Sequence, residues 1–182
     1  MNYRYGNIFI IIFISLFLFV FGIADADGAS APAIEWKKYY GGSAHDIPES
    51  IQQTTDGGYI VAGWSLSNDG DISGNHGGRD VLVFKLNAKG EIVWQKSLGG
   101  SGEDIANYVR QTKDGGYIVA GTSSSNDGDL TQNRGEYDAW VIKLDSGGEI
   151  LWQRPFGGSK YDEACSIQET TDGGYIFVGY LS

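Results

Sequence analysis

The sequence is poor in cysteine and in basic residues, and each shortage argues against a class of protein. Cys165 is the only cysteine, so the chain cannot form a disulfide within itself. Lysine and arginine number 13 against 23 acidic residues, which gives a net charge of −10. A protein that follows a nucleic-acid backbone needs a basic stripe, and this sequence has none. The composition therefore argues against nucleic-acid binding.

Long hydrophobic runs are also scarce, and the one present lies near the N-terminus. Arg4 precedes an almost uninterrupted apolar stretch over residues 8–24, and small residues follow at Ala24 and Ala26. This order predicts a secretory signal peptide over residues 1–26 and a linker over residues 27–33. The alternative is an uncleaved membrane anchor through residues 8–24, since that length of helix would span about 26 Å of a hydrocarbon core of about 30 Å. Both interpretations predict a secreted or cell-surface protein.

Proline is rare and glycine is abundant, with three prolines against 28 glycines, and the glycines mark an internal repeat. Trp36, Trp94 and Trp152 lie 58 residues apart, and the same spacing relates three Gly-Gly-Ser segments and three Asp-Gly-Gly-Tyr segments. A fixed period of this size indicates a repeat protein. Residues 34–182 divide into an outer strand (34–40), two full units (about 41–98 and 99–156) and a partial third unit (157–182).

Each full unit is predicted to contain four antiparallel strands. In the first unit these are expected over residues 48–54, 59–66, 81–86 and 91–97, with glycine-containing hairpin turns after the first and third. The third strand is apolar on both faces, because Leu82 and Phe84 alternate with Val81 and Val83. A strand buried on both faces requires a sheet above and a sheet below it. A small meander that is repeated and covered on both faces is typical of a β-propeller blade.

The segments KLNAKGEIVWQKSLGG and KLDSGGEILWQRPFGG resemble the tryptophan-docking segment of quinoprotein-type propellers, and DGGYIVAG resembles a strand of Kelch-like blades. The whole repeat resembles a family of secreted β-propeller repeat proteins, some of which are labelled endoglucanase-like. The resemblance covers residues 34–182 and implies an all-β fold of four-stranded antiparallel blades. It does not specify an activity.

Two full units and two pieces are fewer than the four to eight blades of a propeller. We therefore expect an incomplete ring that needs further blades, from the same chain or from another. The favoured interpretation is the N-terminal part of a longer protein. The alternatives are a truncated product without independent function and a ring assembled from several chains. The apolar segment over residues 175–182 is expected to expose a strand edge.

Two sets of loops are predicted to meet at one end of the blades: the Gly-Gly-Ser loops and the acidic loops over residues 68–80 and 126–138. The acidic loops carry oxygen-bearing side chains at spacings that resemble an EF-hand calcium loop. The predicted calcium ligands are Asp69, Asp71, Ser73, Asn75 and Asp80 in the first loop, and Asp127, Asp129, Thr131, Asn133 and Asp138 in the second. The alternative is ordinary turn chemistry, since Asn-Asp-Gly-Asp is common in turns.

Three aspartates, Asp46, Asp104 and Asp162, recur three residues after each Gly-Gly-Ser segment. We interpret them as structural, each accepting hydrogen bonds from its own loop, because a catalytic group is needed once and a clasp is needed in every unit. The same interpretation applies to the aspartates of the hairpin turns: Asp56, Asp114 and Asp172. The three repeated tryptophans are expected to pack between units.

No residue is singled out as catalytic or as cofactor-binding. His45, His76 and Cys165 are replaced by other residues in the other units, which favours ordinary loop and strand roles. The leading hypothesis is an exported, non-catalytic β-propeller module for binding, adhesion or scaffolding, with a glycan or cell-surface ligand and with calcium as the candidate cofactor. The alternative is a glycoside hydrolase that uses two loop carboxylates. A quinoprotein dehydrogenase is a weaker alternative.

Overall fold

The computed structural model describes residues 8–13, 34–130 and 132–182, and every regular element in these ranges is a β-strand. The predicted all-β class is therefore confirmed for this part of the chain. The strands are β1 (Ile8–Phe13), β2 (Ile34–Tyr40), β3 (Asp46–Gln53), β4 (Tyr59–Ser65), β5 (Asp80–Leu86), β6 (Ile92–Leu98), β7 (Asp104–Gln111), β8 (Tyr117–Ser123), β9 (Asp138–Leu144), β10 (Ile150–Phe156), β11 (Glu163–Glu169) and β12 (Tyr175–Tyr180).

Two antiparallel four-stranded sheets form the centre of the structure. Strands β3 to β6 make the first sheet and β7 to β10 make the second, and each strand pairs with its neighbour in the chain. Strands β11 and β12 form an antiparallel pair. The predicted strands of the first unit are confirmed to within two residues at each end. The described residues form separate sheets and do not close into a ring.

The first strand of each unit contains a bulge at an equivalent place. The pairing register shifts at Glu49, Asn107 and Cys165. The glycine opposite the first bulge, Gly63, approaches the Ile47 carbonyl so closely that a Cβ there would clash with it. A bulge residue is not fixed by strand pairing, which explains why three different residue types fill this position. Cys165 is exposed, as an ordinary strand residue would be.

The core lies between stacked sheets. Every residue of β5 and of β9 is buried, as the two apolar faces of these strands predict. On one face of the first sheet, Phe84 packs with Tyr40 of β2. On the other face, Val83 shares a cluster with Trp140 of the second sheet. The second sheet in turn packs on β11 through a cluster that includes Ile167, so the sheets follow one another face to face in chain order.

The N-terminal predictions fall mostly outside the described residues. Within the predicted signal peptide (1–26) only residues 8–13 are described, and they form β1, which runs parallel to β2. The predicted linker (27–33) lies outside the described ranges. No helix within these ranges has the length and apolar character needed to cross a membrane.

Candidate binding loops at one end of the sheets

The Gly-Gly-Ser loops and the acidic loops meet at the same end of the sheets, as predicted. The backbone N–H of Ser43 donates to Asp69 Oδ1 at 2.7 Å, and the N–H of Gly41 donates to Asp71 Oδ2 at 3.2 Å. In the second unit the corresponding bonds run from Ser101 to Asp127 at 2.7 Å and from Gly99 to Asp129 at 3.0 Å. Each acidic loop is thus fastened to the Gly-Gly-Ser loop of its own unit.

These hydrogen bonds also favour the ionised form of the loop aspartates. The backbone N–H of Ser43 lowers the pKa of Asp69, and the N–H of Ser101 lowers the pKa of Asp127, because a hydrogen bond to a carboxylate favours its charged form. Both side chains belong to exposed residues. The loop surface therefore carries negative charge at neutral pH.

The recurrent aspartates after Gly-Gly-Ser lie beneath these loops and are buried. Asp46 accepts hydrogen bonds from the Gly42 N–H at 2.8 Å, from Ser65 Oγ at 2.5 Å and from Ser67 Oγ at 3.1 Å. Asp104 makes the equivalent bonds to Gly100, Ser123 and Ser125, and Asp162 accepts from the backbone N–H groups of Gly158 and Ser182. The structural interpretation of these aspartates is consistent with every one of these bonds.

A second pair of buried aspartates begins the third strands. Asp80 Oδ2 accepts the His76 N–H at 3.0 Å, and Asp138 Oδ2 accepts the Arg134 N–H at 3.1 Å. The other oxygen, Oδ1, is buried in both residues and has no hydrogen-bond partner among the described residues. Burial raises the pKa of both carboxyl groups, because it disfavours the charged form.

The predicted calcium ligands bond to different parts of the protein. Asp69 and Asp71 hold the Gly-Gly-Ser loop, whereas Asp80 is buried at the start of β5. Ser73 Oγ donates to Gln95, Asn75 Nδ2 donates to the Ser65 and Gly78 carbonyls, Asn133 Nδ2 donates to the Ser123 carbonyl, and Thr131 lies outside the described residues. In the described ranges no three His, Cys, Asp or Glu side chains are grouped so that they could hold a metal. Calcium binding stays a prediction.

The sequence did not reveal the role of His76. Its Nδ1 lies 2.6 Å from Asp80 Oδ2, and its side chain is 40% exposed while that of Asp80 is fully buried. Arg134 takes the place of His76 in the second unit, so this pair is specific to the first. The four-residue spacing is visible in the sequence, but a loop has no regular period from which the direction of a side chain follows.

The repeated tryptophans pack between units, as predicted. Trp94 of β6 meets Tyr117 of the second sheet edge-on, with ring centroids 5.7 Å apart. Its Nε1 donates to the Ser146 carbonyl at 3.1 Å. The other two pairs have nearly the same geometry: Trp36 with Tyr59 at 5.8 Å and Trp152 with Tyr175 at 5.6 Å. Each tryptophan therefore joins one unit to the next.

At the opposite end of the sheets, a lysine of the third strand binds the aspartate of the first hairpin turn. Lys85 Nζ lies 2.8 Å from Asp56 Oδ2, and Lys143 Nζ lies 2.9 Å from Asp114 Oδ2. The lysine side chains are 6% and 2% exposed. Sequence reasoning placed the aspartates in turns but missed the lysines, because strand alternation says nothing about what a long side chain reaches.

Comparison with known proteins gives one distant similarity. No protein-family model matches the sequence. The chain is 26% identical over 170 residues to the regulatory protein FlaEY of Caulobacter vibrioides. The match covers 87% of this chain and 18% of that protein, so the chain spans less than a fifth of the length of this relative.

Proposed function

We propose that the chain is a segment of a β-propeller and that it acts as a non-catalytic binding or scaffolding module at the cell surface or outside the cell. The observation that carries the proposal is the repeated fastening of loops at one end of the sheets. A buried aspartate and an exposed aspartate secure the Gly-Gly-Ser loop in both full units. Rigid loops on a β scaffold suit ligand binding because little ordering entropy is lost.

The contacts between first strands support the propeller. The Val109 N–H of β7 donates to Ser50 Oγ of β3 at 3.2 Å, and the Gln111 N–H donates to Gln52 Oε1 at 2.7 Å. Asn107 Nδ2 of β7 donates to the Ala164 carbonyl of β11 at 3.1 Å. First strands of successive units are thus direct neighbours, which is expected when these strands face a common axis.

The surface of the fastened loops favours a polar ligand. Ser43, Ser101 and Ser159 are exposed and repeat in every unit, and Asp69 and Asp127 add carboxylates whose pKa is lowered. The serine hydroxyls can donate hydrogen bonds to the hydroxyls of a glycan and accept them in return, and the carboxylates can accept them. A glycan or another uncharged or cationic surface group is therefore the proposed ligand.

The buried positions of the unusual carboxyl groups support a non-catalytic role. Asp80 and Asp138, whose pKa is raised, are fully buried and so lie out of reach of a polysaccharide. A glycosidase needs one carboxyl of raised pKa beside its bound sugar. The match to a small part of a longer regulatory protein is also consistent with a module within a longer polypeptide.

A glycan microarray combined with binding to intact cells tests the proposal. The purified chain is expected to bind a polar glycan or a cell surface. The double variant Ser43→Ala, Ser101→Ala, which removes two exposed hydroxyls of the fastened loops, should weaken that binding at least tenfold. Lys89→Ala, an exposed change at the opposite end of the sheets, is the matched control and should have no effect. Release of reducing sugar from a polysaccharide, or equal binding by both variants, would contradict the proposal.

A further inference from the structure

In each full unit the third strand pairs with the edge of the second strand, and its lysine binds the hairpin turn between the first and second strands. Strand β5 pairs with β4 so that Leu86 lies opposite Tyr59 and Asp80 lies opposite Ser65. Lys85 Nζ then donates to both oxygens of Asp56, at 2.8 and 3.1 Å, and to the Leu86 carbonyl at 3.0 Å. The second unit repeats this arrangement with β9, Lys143, Asp114 and the Leu144 carbonyl.

In the third unit β12 takes the place of β4 and β8. Within the described residues β12 pairs with β11 alone. Its apolar side chains are uncovered: Ile176 is 60% exposed and Val178 is 63% exposed, whereas Ile118 at the corresponding place of β8 is fully buried. The face of β12 that carries Tyr175 and Phe177 already packs on the second sheet. The uncovered part is therefore the outer face and the edge.

The hairpin turn beside β12 is already formed as in the other units. The Thr170 N–H donates to the Gly174 carbonyl at 2.8 Å, and the Gly174 N–H donates to Asp172 Oδ1 at 3.3 Å. The corresponding bond from Thr54 to Gly58 is 2.9 Å. Asp172 thus stands in the turn as Asp56 does. Lys113 of the second unit binds this turn through the Thr170 carbonyl and pairs with Glu169, and among the described residues no salt bridge joins a lysine to Asp172.

The glycine of this turn keeps open the space that a lysine would fill. A Cβ added at Gly58 would come within 2.6 Å of Lys85 Nζ and would clash with the Leu86 carbonyl. A Cβ added at Gly116 would meet Lys143 Nζ and the Leu144 carbonyl in the same way. At Gly174 the nearest atoms are Thr170 Oγ1 at 3.0 Å and Asp172 Oδ1 at 3.5 Å. The third turn therefore has room for a lysine amine and a strand carbonyl.

We propose that the free edge of β12 binds, by strand addition, a third-and-fourth-strand hairpin from another repeat unit, and that Asp172 and Gly174 select a lysine at the sixth place of its first strand. The partner pattern is the one shared by β5 and β9: aspartate first, apolar residues at the third and fifth places, lysine sixth and leucine seventh. Main-chain hydrogen bonds supply affinity in strand addition, and side-chain positions supply specificity.

The pairing register follows from the two existing sheets. Leu144 lies opposite Tyr117 and Asp138 lies opposite Ser123 in the second unit. By the same register, the leucine of the partner strand lies opposite Tyr175 and its aspartate lies opposite Leu181. The third and fifth residues then extend the face that Tyr175 and Phe177 present to the second sheet. This inference deepens the repeat architecture of the proposed function, but it does not require the loops to bind a ligand.

Fluorescence anisotropy with a labelled peptide tests the proposal. The peptide copies residues 138–156, the hairpin of β9 and β10, and is titrated with the full chain. Saturable one-to-one binding is expected. Since the lysine makes charge-assisted hydrogen bonds, Lys143→Ala in the peptide should weaken binding by roughly tenfold. Asp172→Asn in the chain should weaken it by a similar factor, and Gly174→Ala should weaken it further by filling the space.

The matched control is Asp114→Asn, which removes the equivalent carboxylate from a turn whose lysine is already in place. That variant should bind the peptide as the unaltered chain does. Hydrogen exchange should show new protection of the β12 amides on binding. Absence of binding, equal affinity for the lysine and alanine peptides, or a dimer of the chain that excludes the peptide would each overturn the proposal. Glycan binding by the loops is measured without peptide, so failure of one proposal leaves the other intact.

Discussion

Replacing Asp104 by alanine is expected to be among the most destabilising single changes in the second unit. The carboxylate is fully buried between the Gly-Gly-Ser loop and the end of β8. It accepts the Gly100 N–H at 2.9 Å, Ser125 Oγ at 2.6 Å and the Ser123 hydroxyl. Removing it leaves one backbone donor and two hydroxyl donors without an acceptor in a site that water does not reach.

The magnitude follows from these three donors. A buried polar group that loses its partner costs about 1–3 kcal/mol, and the two hydroxyls recover part of that cost by rotating, so we expect a loss of about 3–5 kcal/mol. Burial raises the pKa of Asp80, the hydrogen bonds from His76 lower it, and the negative charge of Asp104 raises it further. Because Asp104→Ala removes this repulsion between the two carboxylates, we expect a loss of stability at the lower end of that range at neutral pH.

The assay is urea unfolding followed by tryptophan fluorescence, with Asp127→Ala as the matched control. Asp127 accepts the Ser101 N–H at 2.7 Å in the same loop, but its residue is exposed. The Asp104 variant should lower the midpoint strongly and the control should barely change it, with similar slopes for both. Equal midpoints for the two variants, or an Asp104 variant as stable as the unaltered chain, would refute the structural role of the recurrent aspartates.

Three further changes test other parts of the structure. Hydrogen bonds from Thr112 and Lys143 lower the pKa of Asp114 from 3.8 to about 2. The carboxylate therefore stabilises the fold above about pH 4, and this stabilisation is lost as the pH falls toward 2. In Asp114→Asn the midpoint of urea unfolding should depend less on pH between these two values. Asp138→Asn should stabilise the chain at pH 7, because it replaces a buried carboxyl of raised pKa by a neutral side chain, and the gain should vanish at acidic pH in thermal unfolding. Trp94→Ala should cost about 3 kcal/mol through the lost packing on the second sheet, whereas Val93→Ala on the exposed face should cost little, as chemical unfolding will show.

The strands could be predicted because their signals are local. Leu82 and Phe84 alternate with Val81 and Val83, and glycines of positive φ such as Gly57 and Gly90 mark the turns between strands. The recurrence of the tryptophans every 58 residues also predicted a structural role for them, and packing between units is the role that the structure shows.

The side-chain pairs that cross between elements could not be predicted in the same way. Lys85 of β5 reaches Asp56 in the turn between β3 and β4, and His76 in the loop before β5 reaches Asp80 at the start of that strand. Both depend on the path of the backbone, which a repeat pattern does not specify. The structural role of Asp46 was predicted for a different reason: recurrence in every unit is evidence of a role that every unit needs.

The most direct test of the stacked-sheet architecture is a comparison of two rotations in a crystal structure of the chain. One rotation superposes β3 to β6 on β7 to β10, and the other superposes β7 and β8 on β11 and β12. A propeller predicts equal angles about one shared axis with almost no shift along it. Sheets that lie side by side, or two rotations about different axes, would contradict it.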